Sequence, residues 1–327
     1  MYLIPEWLPH KCCFLAWPCN KELYKSNLAE AKKQISILAN TISDHEKVII
    51  LCNNEDLEEV KDFLKNKEIK VIKVDLDDSW MRDIAPIFFK KNNLLVSMNF
   101  HFNGYGKYPN FKKDNLIAGQ IAKILDIQIY ESNIILEGGA ITYDEFGNLF
   151  TTKNVIFNKN RNQILSHKEI DKKLIKIFDL RKIYYFPEGL ADDDTDGHID
   201  NIFCPIGNNR YLIASADKNN KNYSLLKENK RFIENEFKKN HQKYELIDIP
   251  LPSETIIDNK IIIGSYINFY FTKYSVILPK FNVPQDDIVK KIFLKLFKDK
   301  KVIFLDTRSI NYGGGNIHCV TMNVPKI

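Results

Sequence analysis

The sequence contains no long apolar run, no paired-cysteine motif and few arginines. No window approaches about 18 uninterrupted apolar residues, which excludes a membrane-spanning helix. The six cysteines include no C-x-x-C pair, which excludes a zinc ribbon and a thioredoxin-like redox motif. Only six of the 47 basic residues are arginine and no three basic residues are consecutive. The net charge of +5 therefore predicts a solvated, lysine-rich surface rather than a nucleic-acid-binding patch.

The N-terminal segment MYLIPEWLPHK lacks a basic stretch followed by an apolar run. We therefore expect no signal peptide and a location in the reducing cytoplasm, where disulfides are improbable. Each cysteine is then either a small buried apolar residue or a reactive thiol. We interpret five of the six as packing residues: Cys12, Cys13, Cys19, Cys52 and Cys204.

Short β-type runs alternate with helical patterns along the whole chain, which is 44% hydrophobic and 12% aromatic. Runs rich in Ile, Val, Tyr and Phe predict strands over residues 47–52, 69–75, 93–100, 127–132, 182–187, 210–215, 243–249, 261–264, 274–279 and 301–306. Apolar residues at helical spacing predict helices over residues 21–43, 55–65, 112–125, 167–178, 218–239 and 284–298, with N-capping sequences at Ser166 and near Ser26. No Pro- or Ser-rich linker divides the chain, so we expect one α/β domain over residues 1–327.

Four segments carry residues that an apolar core would not select, and the first is DDSWMRDIAP (residues 77–86). It follows a predicted strand, and strand ends are where α/β folds place binding and catalytic residues. Its acidic residues and Trp80 predict a pocket for a cation. A surface ion pair between Arg82 and Asp83 is the alternative.

The second segment is ILEGGAI (residues 135–141), in which a glutamate and two glycines end an apolar strand. Glycine permits unusual turns and close backbone approach, so a hairpin turn would explain Gly138 and Gly139. A turn does not explain Glu137, which follows the apolar Leu136. We therefore include Glu137 among the candidate site residues.

The third segment is GLADDDTDGHIDN (residues 189–201), an acidic run with one histidine. A solvated loop is the usual meaning of such a run. His198 and Asp200 are two residues apart at the start of the apolar run IFCPI, where strand alternation would direct both to one face. A histidine beside carboxylates suits general acid/base catalysis. A metal site is the alternative, although this pair has no further His or Cys ligand at a useful spacing.

The fourth segment is NYGGGNIHCVTMN (residues 311–323), in which three glycines precede a cysteine. It has neither the lysine of a phosphate-binding loop nor the spacing of a dinucleotide loop. Most isolated cysteines are simply buried. Glycines open the approach to Cys319, however, and His198 is available as a partner, so we predict that Cys319 is a nucleophile.

Together these segments resemble the agmatine deiminase branch of the guanidine-modifying superfamily called penteins, within the Porphyromonas-type peptidyl-arginine deiminase family. The resemblance covers nearly the whole chain. It rests on IPEWLPHKCCFLAWP (4–18), SWMRDIAP (79–86), FNGYGKY (102–108), LEGGAI (136–141), FNKNRN (157–162), DDTDGHIDN (193–201) and GGGNIHC (313–319), in this order. The chain departs from the family in having IAP where glycine more often precedes the proline, Tyr105 where tryptophan is common, and VTMNVP after Cys319 where a polar Gln pair is frequent.

The resemblance implies a five-bladed α/β propeller of ββαβ-type modules around a central active site, with no metal and no organic cofactor. A guanidinium stays protonated at neutral pH, and its planar N–H groups match carboxylate oxygens. The resemblance accordingly implies that Asp83 and Asp200 bind the guanidinium, that Cys319 attacks its carbon, and that Glu137 orients His198, which transfers protons. The intermediate is an amidino adduct on Cys319. The implied substrate-binding residues are Trp80, Asp83, Asp194, Asp200 and Gly315.

The implied substrate is agmatine, hydrolysed to N-carbamoylputrescine and ammonia for polyamine synthesis. Its ammonium end needs an acidic or aromatic contact, for which Asp194 and Trp80 are the candidates. Arginine would need a cation for its α-carboxylate, and Arg161 could supply it, with a structural hydrogen bonder as the alternative role. The alternatives are an arginine or peptidyl-arginine deiminase, an amidinotransferase, and a non-enzymatic binding protein. We expect no nucleic-acid or membrane partner, and we consider a homodimer.

Overall fold

The computed structural model describes residues 2–327, which form short strands and helices in alternation. The strands of this part of the chain are β1 (Tyr2–Leu3), β2 (His10–Ala16), β3 (Val48–Cys52), β4 (Lys70–Lys73), β5 (Ile87–Lys91), β6 (Leu94–His101), β7 (Ile129–Ile135), β8 (Ile141–Tyr143), β9 (Asn148–Thr152), β10 (Lys182–Phe186), β11 (Phe203–Pro205), β12 (Arg210–Ser215), β13 (Glu245–Pro250), β14 (Thr255–Ile257), β15 (Lys260–Ile262), β16 (Tyr270–Phe271), β17 (Ser275–Lys280), β18 (Lys301–Asp306) and β19 (Thr321–Pro325). The helices are α1 (Lys21–Tyr24), α2 (Leu28–Ser43), α3 (Leu57–Phe63), α4 (Met81–Ile84), α5 (Ile117–Leu125), α6 (Lys153–Ile156), α7 (His167–Phe178), α8 (Tyr223–Lys239), α9 (Gln285–Leu296) and α10 (Arg308–Tyr312).

Five of the sheets in residues 2–327 repeat one topology, which we call the ββαβ unit. In each unit a central strand pairs antiparallel with one strand and parallel with another, and a helix lies between the two parallel strands. Parallel neighbours need such a crossover, because a tight turn cannot join them. The units are β5–β6–α5–β7, β8–β9–α7–β10, β11–β12–α8–β13, β16–β17–α9–β18 and β19–β2–α2–β3. The predicted α/β fold class is confirmed.

The last unit is assembled from both ends of the described chain. Strand β19 pairs antiparallel with β2, with Thr321 opposite Leu15 and Val324 opposite Cys12. Strand β1 pairs antiparallel with β5, in the next unit. Strands from near the start and the end of the sequence are therefore neighbours within one sheet.

Helix α7 illustrates how local sequence determines an element. The Ser166 side chain accepts a hydrogen bond from the backbone N–H of Glu169, and the Glu169 side chain accepts one from the backbone N–H of Ser166, which together form a capping box. Ile170, Leu174 and Phe178 form its buried face at helical spacing. The observed bounds coincide with the predicted ones.

The predicted helix over residues 21–43 is wrong as one continuous element. It divides into α1 and α2 around a 3₁₀ turn at Lys25–Asn27, because Lys25 has a left-handed φ of 50° that interrupts the α-helical path. The N-cap predicted near Ser26 is also wrong. The Ser26 hydroxyl instead donates to Asp258, and Asn27, at the N-cap position, makes no side-chain capping bond.

The sequence patterns did not predict several strands, among them β2 and β19. Both are almost completely buried, so their residues lack the alternation of a half-exposed strand. Cys12, Cys13 and Cys52 are buried in apolar clusters, in agreement with packing roles, whereas Cys19 and Cys204 are partly exposed. Within residues 2–327, no helix has the length and apolar character needed to cross a membrane.

The closing strand gives a test of the fold. Val324 is fully buried, so Val324→Ala should lower the free energy of unfolding by about 2 kcal/mol through lost burial and a residual cavity. Ile327, which is 49% exposed, is the matched control. Ile327→Ala should change stability by less than about 0.5 kcal/mol. Urea unfolding monitored by circular dichroism measures both, and equal effects would contradict a buried closing strand.

Candidate active site

The connections between consecutive ββαβ units supply the side chains of one site. Each connection runs from the last strand of one unit to the first strand of the next. The contributing residues are Asp83 in α4 before β5, Glu137 before β8, His198 and Asp200 before β11, Asn268 before β16 and Cys319 before β19. Every unit boundary thus contributes at least one polar side chain.

A cavity of about 260 Å³ opens over these connections. Six of the eight predicted site residues line it: Trp80, Asp83, Asp194, His198, Gly315 and Cys319. Asp200 and Glu137 do not line the cavity, but both are buried directly behind its wall. Their atoms lie within 4.0 Å of Cys319 and His198, respectively.

Asp83 is buried and held by two neutral donors. The backbone N–H of Gly139 donates to Oδ1 at 2.9 Å, and the hydroxyl of Tyr105 donates to Oδ2 at 2.9 Å. Burial raises the pKa of the Asp83 carboxyl, as does the nearby Asp200, while His198 lowers it. The alternative of a surface ion pair with Arg82 is wrong, because both residues are buried and Arg82 pairs with Glu6 instead.

Gly139 lies where three site residues converge. A Cβ on this glycine would be 2.6 Å from Nδ1 of His198, 3.0 Å from Oδ1 of Asp83 and 3.1 Å from Oδ2 of Asp200. No side chain fits among atoms at these distances, so the backbone itself approaches the site. This close approach explains why glycine follows Gly138 in the LEGGAI segment.

Asp200 is fixed through one of its two oxygens. Oδ2 lies 2.8 Å from Nδ1 of His318 and 3.6 Å from Sγ of Cys319, whereas Oδ1 is buried without a hydrogen-bond partner. The argument that strand alternation directs His198 and Asp200 to one face is wrong. Ile199–Asn201 is a 3₁₀ turn and β11 begins only at Phe203, so it is this turn that brings both side chains to the site.

Cys319 lies at the floor of the cavity and is 7% exposed. The side-chain Nδ2 of Asn268 donates to its sulfur at 3.1 Å, while Oδ1 of the same side chain accepts from the backbone N–H groups of His318 and Cys319. Burial raises the pKa of the Cys319 thiol well above its usual range, and the negative charges of Asp200 and Asp83 add to the effect. The resting group is therefore a thiol at neutral pH.

His198 and Glu137 face each other through one polar atom of each side chain. Nε2 of His198 lies 4.0 Å from Oε2 of Glu137, and both atoms are buried without another partner. The other Glu137 oxygen accepts from Nε of Arg161 at 2.8 Å. Arg161 also contacts Asp196 and the backbone oxygen of Thr195, so it is a buried structural cation rather than a ligand contact in the cavity.

The outer cavity is acidic and aromatic. Glu22, Asp78, Asp114 and Asp194 line it, and no residue of the described chain that lines it is lysine or arginine. Burial raises the pKa of Asp78 to about 6 and that of Asp114 to about 8, with Asp78 also raising that of Asp114.

Trp80 is one of the aromatic residues of this cavity, and Gly315 packs against it. A Cβ on Gly315 would be 2.6 Å from the Trp80 ring and 2.8 Å from Cβ of Cys319. A larger residue at position 315 would therefore occupy the approach to the sulfur. The Trp80 ring also stacks with the ring of Tyr24, and the two ring centroids are 6.3 Å apart.

The structure adds site residues that the sequence patterns missed. Asn268 is fully buried within the aromatic run YINFYF (266–271), and a polar residue in such a run was an available signal. Tyr105 holds Asp83 from a left-handed conformation, φ 60°, that a bulky residue adopts only under strain. Glu6 and His318 had no local signal, because their importance depends on partners far away in the sequence.

A metal site at His198 and Asp200 was the alternative functional interpretation. Across residues 2–327, no three His, Cys, Asp or Glu side chains are arranged as a ligand set for a metal ion.

Comparison with known proteins identifies similar chains over the whole length. The family model described as Porphyromonas-type peptidyl-arginine deiminase matches residues 2–325. A Legionella pneumophila protein provisionally named an agmatine deiminase is 31% identical, over 99% of this chain and 95% of its own. The agmatine deiminase of Stutzerimonas stutzeri is 29% identical, over 99% and 95%. A solved structure of C. jejuni agmatine deiminase, a cysteine-to-serine variant with substrate bound, has a TM-score of 0.91 and 27% identity, with 99% and 96% coverage.

The environment of Cys319 predicts how its reactivity depends on charge. Asp200→Asn removes a negative charge that raises the thiol pKa, so the pKa should fall and the thiolate fraction at pH 7.5 should rise. Iodoacetamide labelling of Cys319, followed by peptide mass spectrometry, should become about tenfold faster, as expected for a shift of one pKa unit.

The control for this labelling experiment is Asp286→Asn. Asp286 is a buried carboxylate that accepts a hydrogen bond from Tyr266 and does not line the cavity. The control should leave the labelling rate of Cys319 unchanged. Slower or unchanged labelling of Cys319 in Asp200→Asn would contradict the electrostatic origin of the raised thiol pKa.

Proposed function

The chain belongs to the Porphyromonas-type peptidyl-arginine deiminase family, and we propose that it is an agmatine deiminase, a hydrolase that converts agmatine and water to N-carbamoylputrescine and ammonia. One observation carries the proposal. A cavity with acidic walls ends at a single thiol, Cys319, beside the carboxylates of Asp83 and Asp200. The similarity to agmatine deiminases over almost the full length supports the same activity.

In this proposal Asp83 and Asp200 bind the guanidinium. Its planar array of N–H donors matches carboxylate oxygens and forms charge-assisted hydrogen bonds. Asp83 is held in place by the Gly139 amide and the Tyr105 hydroxyl, and Oδ1 of Asp200 has no hydrogen-bond partner among residues 2–327. Two buried carboxylates on one side of the cavity therefore favour a planar cation there.

Cys319 is the proposed nucleophile, and substrate binding promotes its ionisation. In the free protein, Asp83 and Asp200 help to keep the thiol protonated. A guanidinium bound between them brings a positive charge that offsets theirs, so the thiol pKa falls when substrate is present. The thiol proton passes to His198, the thiolate adds to the guanidinium carbon, and the C–N bond to one terminal nitrogen breaks.

His198 is the proposed proton carrier in both halves of the reaction. It donates a proton to the departing nitrogen, which leaves as ammonia, and a thiouronium adduct remains on Cys319. It then accepts a proton from water, which attacks the adduct carbon as the C–S bond breaks. Glu137, anchored by Arg161, keeps its second oxygen facing His198, where it stabilises the imidazolium.

The outer cavity favours an ammonium over an α-carboxylate. The acidic side chains of Glu22, Asp78 and Asp194 there attract the ammonium end of agmatine, whereas the α-carboxylate of arginine would meet like charges. Arg161, the candidate carboxylate contact, is occupied by Glu137 and Asp196. These features favour agmatine over free arginine. A single catalytic domain over residues 1–327, a cytoplasmic location and a homodimer remain predictions from the sequence.

The first test is ammonia release by the purified protein with agmatine, arginine and a peptidyl-arginine substrate. Agmatine should be turned over fastest, and Cys319→Ser should lower the rate by about a thousandfold or more. Intact mass spectrometry during turnover should detect agmatine minus ammonia attached to Cys319. Cys19→Ser, a change at a partly exposed cysteine outside the cavity lining, should retain activity.

Two outcomes of this assay would contradict the proposal. Turnover of arginine equal to that of agmatine would reject the substrate assignment. Full activity in Cys319→Ser would reject the nucleophile. Transfer of the amidino group to added glycine or ornithine, in preference to water, would indicate an amidinotransferase instead.

The substrate's ammonium end gives a second test. Asp194 is exposed at the cavity, so Asp194→Asn should raise the KM for agmatine about fivefold, as expected for loss of an exposed ion pair, with little change in kcat. Asp192→Asn is the control, because Asp192 pairs with Lys221 and does not line the cavity. Equal KM values for the two variants would show that Asp194 does not contact the substrate.

A further inference from the structure

His318 lies between two carboxylates behind the floor of the cavity. Its Nδ1 is 2.8 Å from Oδ2 of Asp200, and its Nε2 is 2.8 Å from Oε2 of Glu6. A neutral imidazole carries one N–H and can donate to only one carboxylate. Two such contacts with ionised acids require a proton on both ring nitrogens, so the geometry describes an imidazolium.

The surrounding charges support this protonation state. Burial and Arg82 each lower the pKa of His318, but Glu6 and Asp200 outweigh them, and the net effect is to raise it. Burial would raise the pKa of Glu6, yet Arg82 and His318 lower it to about 2. Nη1 of Arg82 donates to the other Glu6 oxygen at 3.0 Å. The charges therefore alternate in sign from Arg82 through Glu6 and His318 to Asp200.

This arrangement determines which oxygen of Asp200 is left to accept a hydrogen bond. His318 occupies Oδ2, the same oxygen that lies 3.6 Å from the Cys319 sulfur, and leaves Oδ1 as the free acceptor. An imidazolium on Oδ2 also makes a charge-assisted hydrogen bond that holds the carboxylate in this orientation. Without that cation, Asp200 would have no charged partner before substrate arrives.

We propose that Glu6 and His318 are positioning residues: Glu6 holds His318 as an imidazolium, and the imidazolium holds Asp200 in the orientation that binds the guanidinium. The kinetic part of this inference rests on the proposed function, whereas the protonation state of His318 does not. Neither residue lines the cavity, so both act through Asp200.

The charge state of His318 is measurable in the free protein. NMR of the protein labelled in its histidine rings, with His318→Gln for assignment, should show His318 doubly protonated at pH 8. In Glu6→Gln its pKa should fall by at least about one unit, because the variant removes the carboxylate that raises it. The titratable and charged groups that face His318 and Glu6 in the wild-type protein are Asp200, Arg82, Cys319, Cys204, Tyr143 and His10.

Asp286→Asn is the control. Asp286 is a buried carboxylate that accepts a hydrogen bond from Tyr266, and it does not line the cavity. The control should leave the His318 titration and the agmatine kinetics unchanged. If Glu6→Gln fails to fold, the wild-type titration still decides the first step: a His318 that titrates near its ordinary value overturns the proposal.

The kinetic readout separates positioning from a structural role. Glu6→Gln should raise the KM for agmatine about tenfold, which corresponds to one pKa unit. Its kcat/KM should also fall as the pH rises through the lowered pKa of His318, because His318 then loses its positive charge. The wild-type kcat/KM should show no such fall over this pH range, because its His318 stays protonated throughout it. A loss that is the same at every pH would overturn the positioning role. Absence of agmatine turnover in the wild type would instead reject the proposed function and leave the NMR result valid.

Discussion

The site depends on positive groups that compensate the negative charges of its buried carboxylates. Glu6, Glu137 and Asp200 are largely removed from water, where an unpaired negative charge is strongly unfavourable. Each has a fixed cationic partner within hydrogen-bond distance: Arg82 for Glu6, Arg161 for Glu137 and His318 for Asp200. Asp83 differs, because its two close donors, an amide and a phenol, are neutral. Asp83, beside Cys319, is thus held by neutral donors alone, and a cationic ligand can supply the missing positive charge.

The fold meets this requirement through its repeated topology. The connections between units differ in length and some contain short helices or strands, but each places polar groups just before the first strand of the next unit. Asp83 and Glu137 lie in two such connections, and Cys319 lies in the one that precedes the closing strand. Gly139 then allows the backbone of one connection to touch side chains from two others. The precision of the site therefore depends on sheets that take no part in its chemistry.

Sequence patterns predict what is local and miss what depends on contacts across the fold. The capping box at Ser166 and the apolar stripe after it determine helix α7 without outside help. Asp83, His198 and Cys319 could be identified because each interrupts an apolar pattern or follows glycines. The pair of Glu6 and His318 is 312 residues apart, so no local pattern could predict it. Strands β2 and β19 were missed because burial on both faces removes the period-two signal.

The pairing of β19 with β2 has a consequence for the order in which the protein matures. During synthesis the chain leaves the ribosome from its N-terminus, and the early units can fold first. The acids of the site are translated well before Cys319, and Glu6 must wait for His318, its partner on the far side of the sequence. A nascent chain therefore contains the acidic residues of the cavity before it contains Cys319, the proposed nucleophile. The site is therefore complete only after β19 has paired with β2, because Cys319 directly precedes that strand.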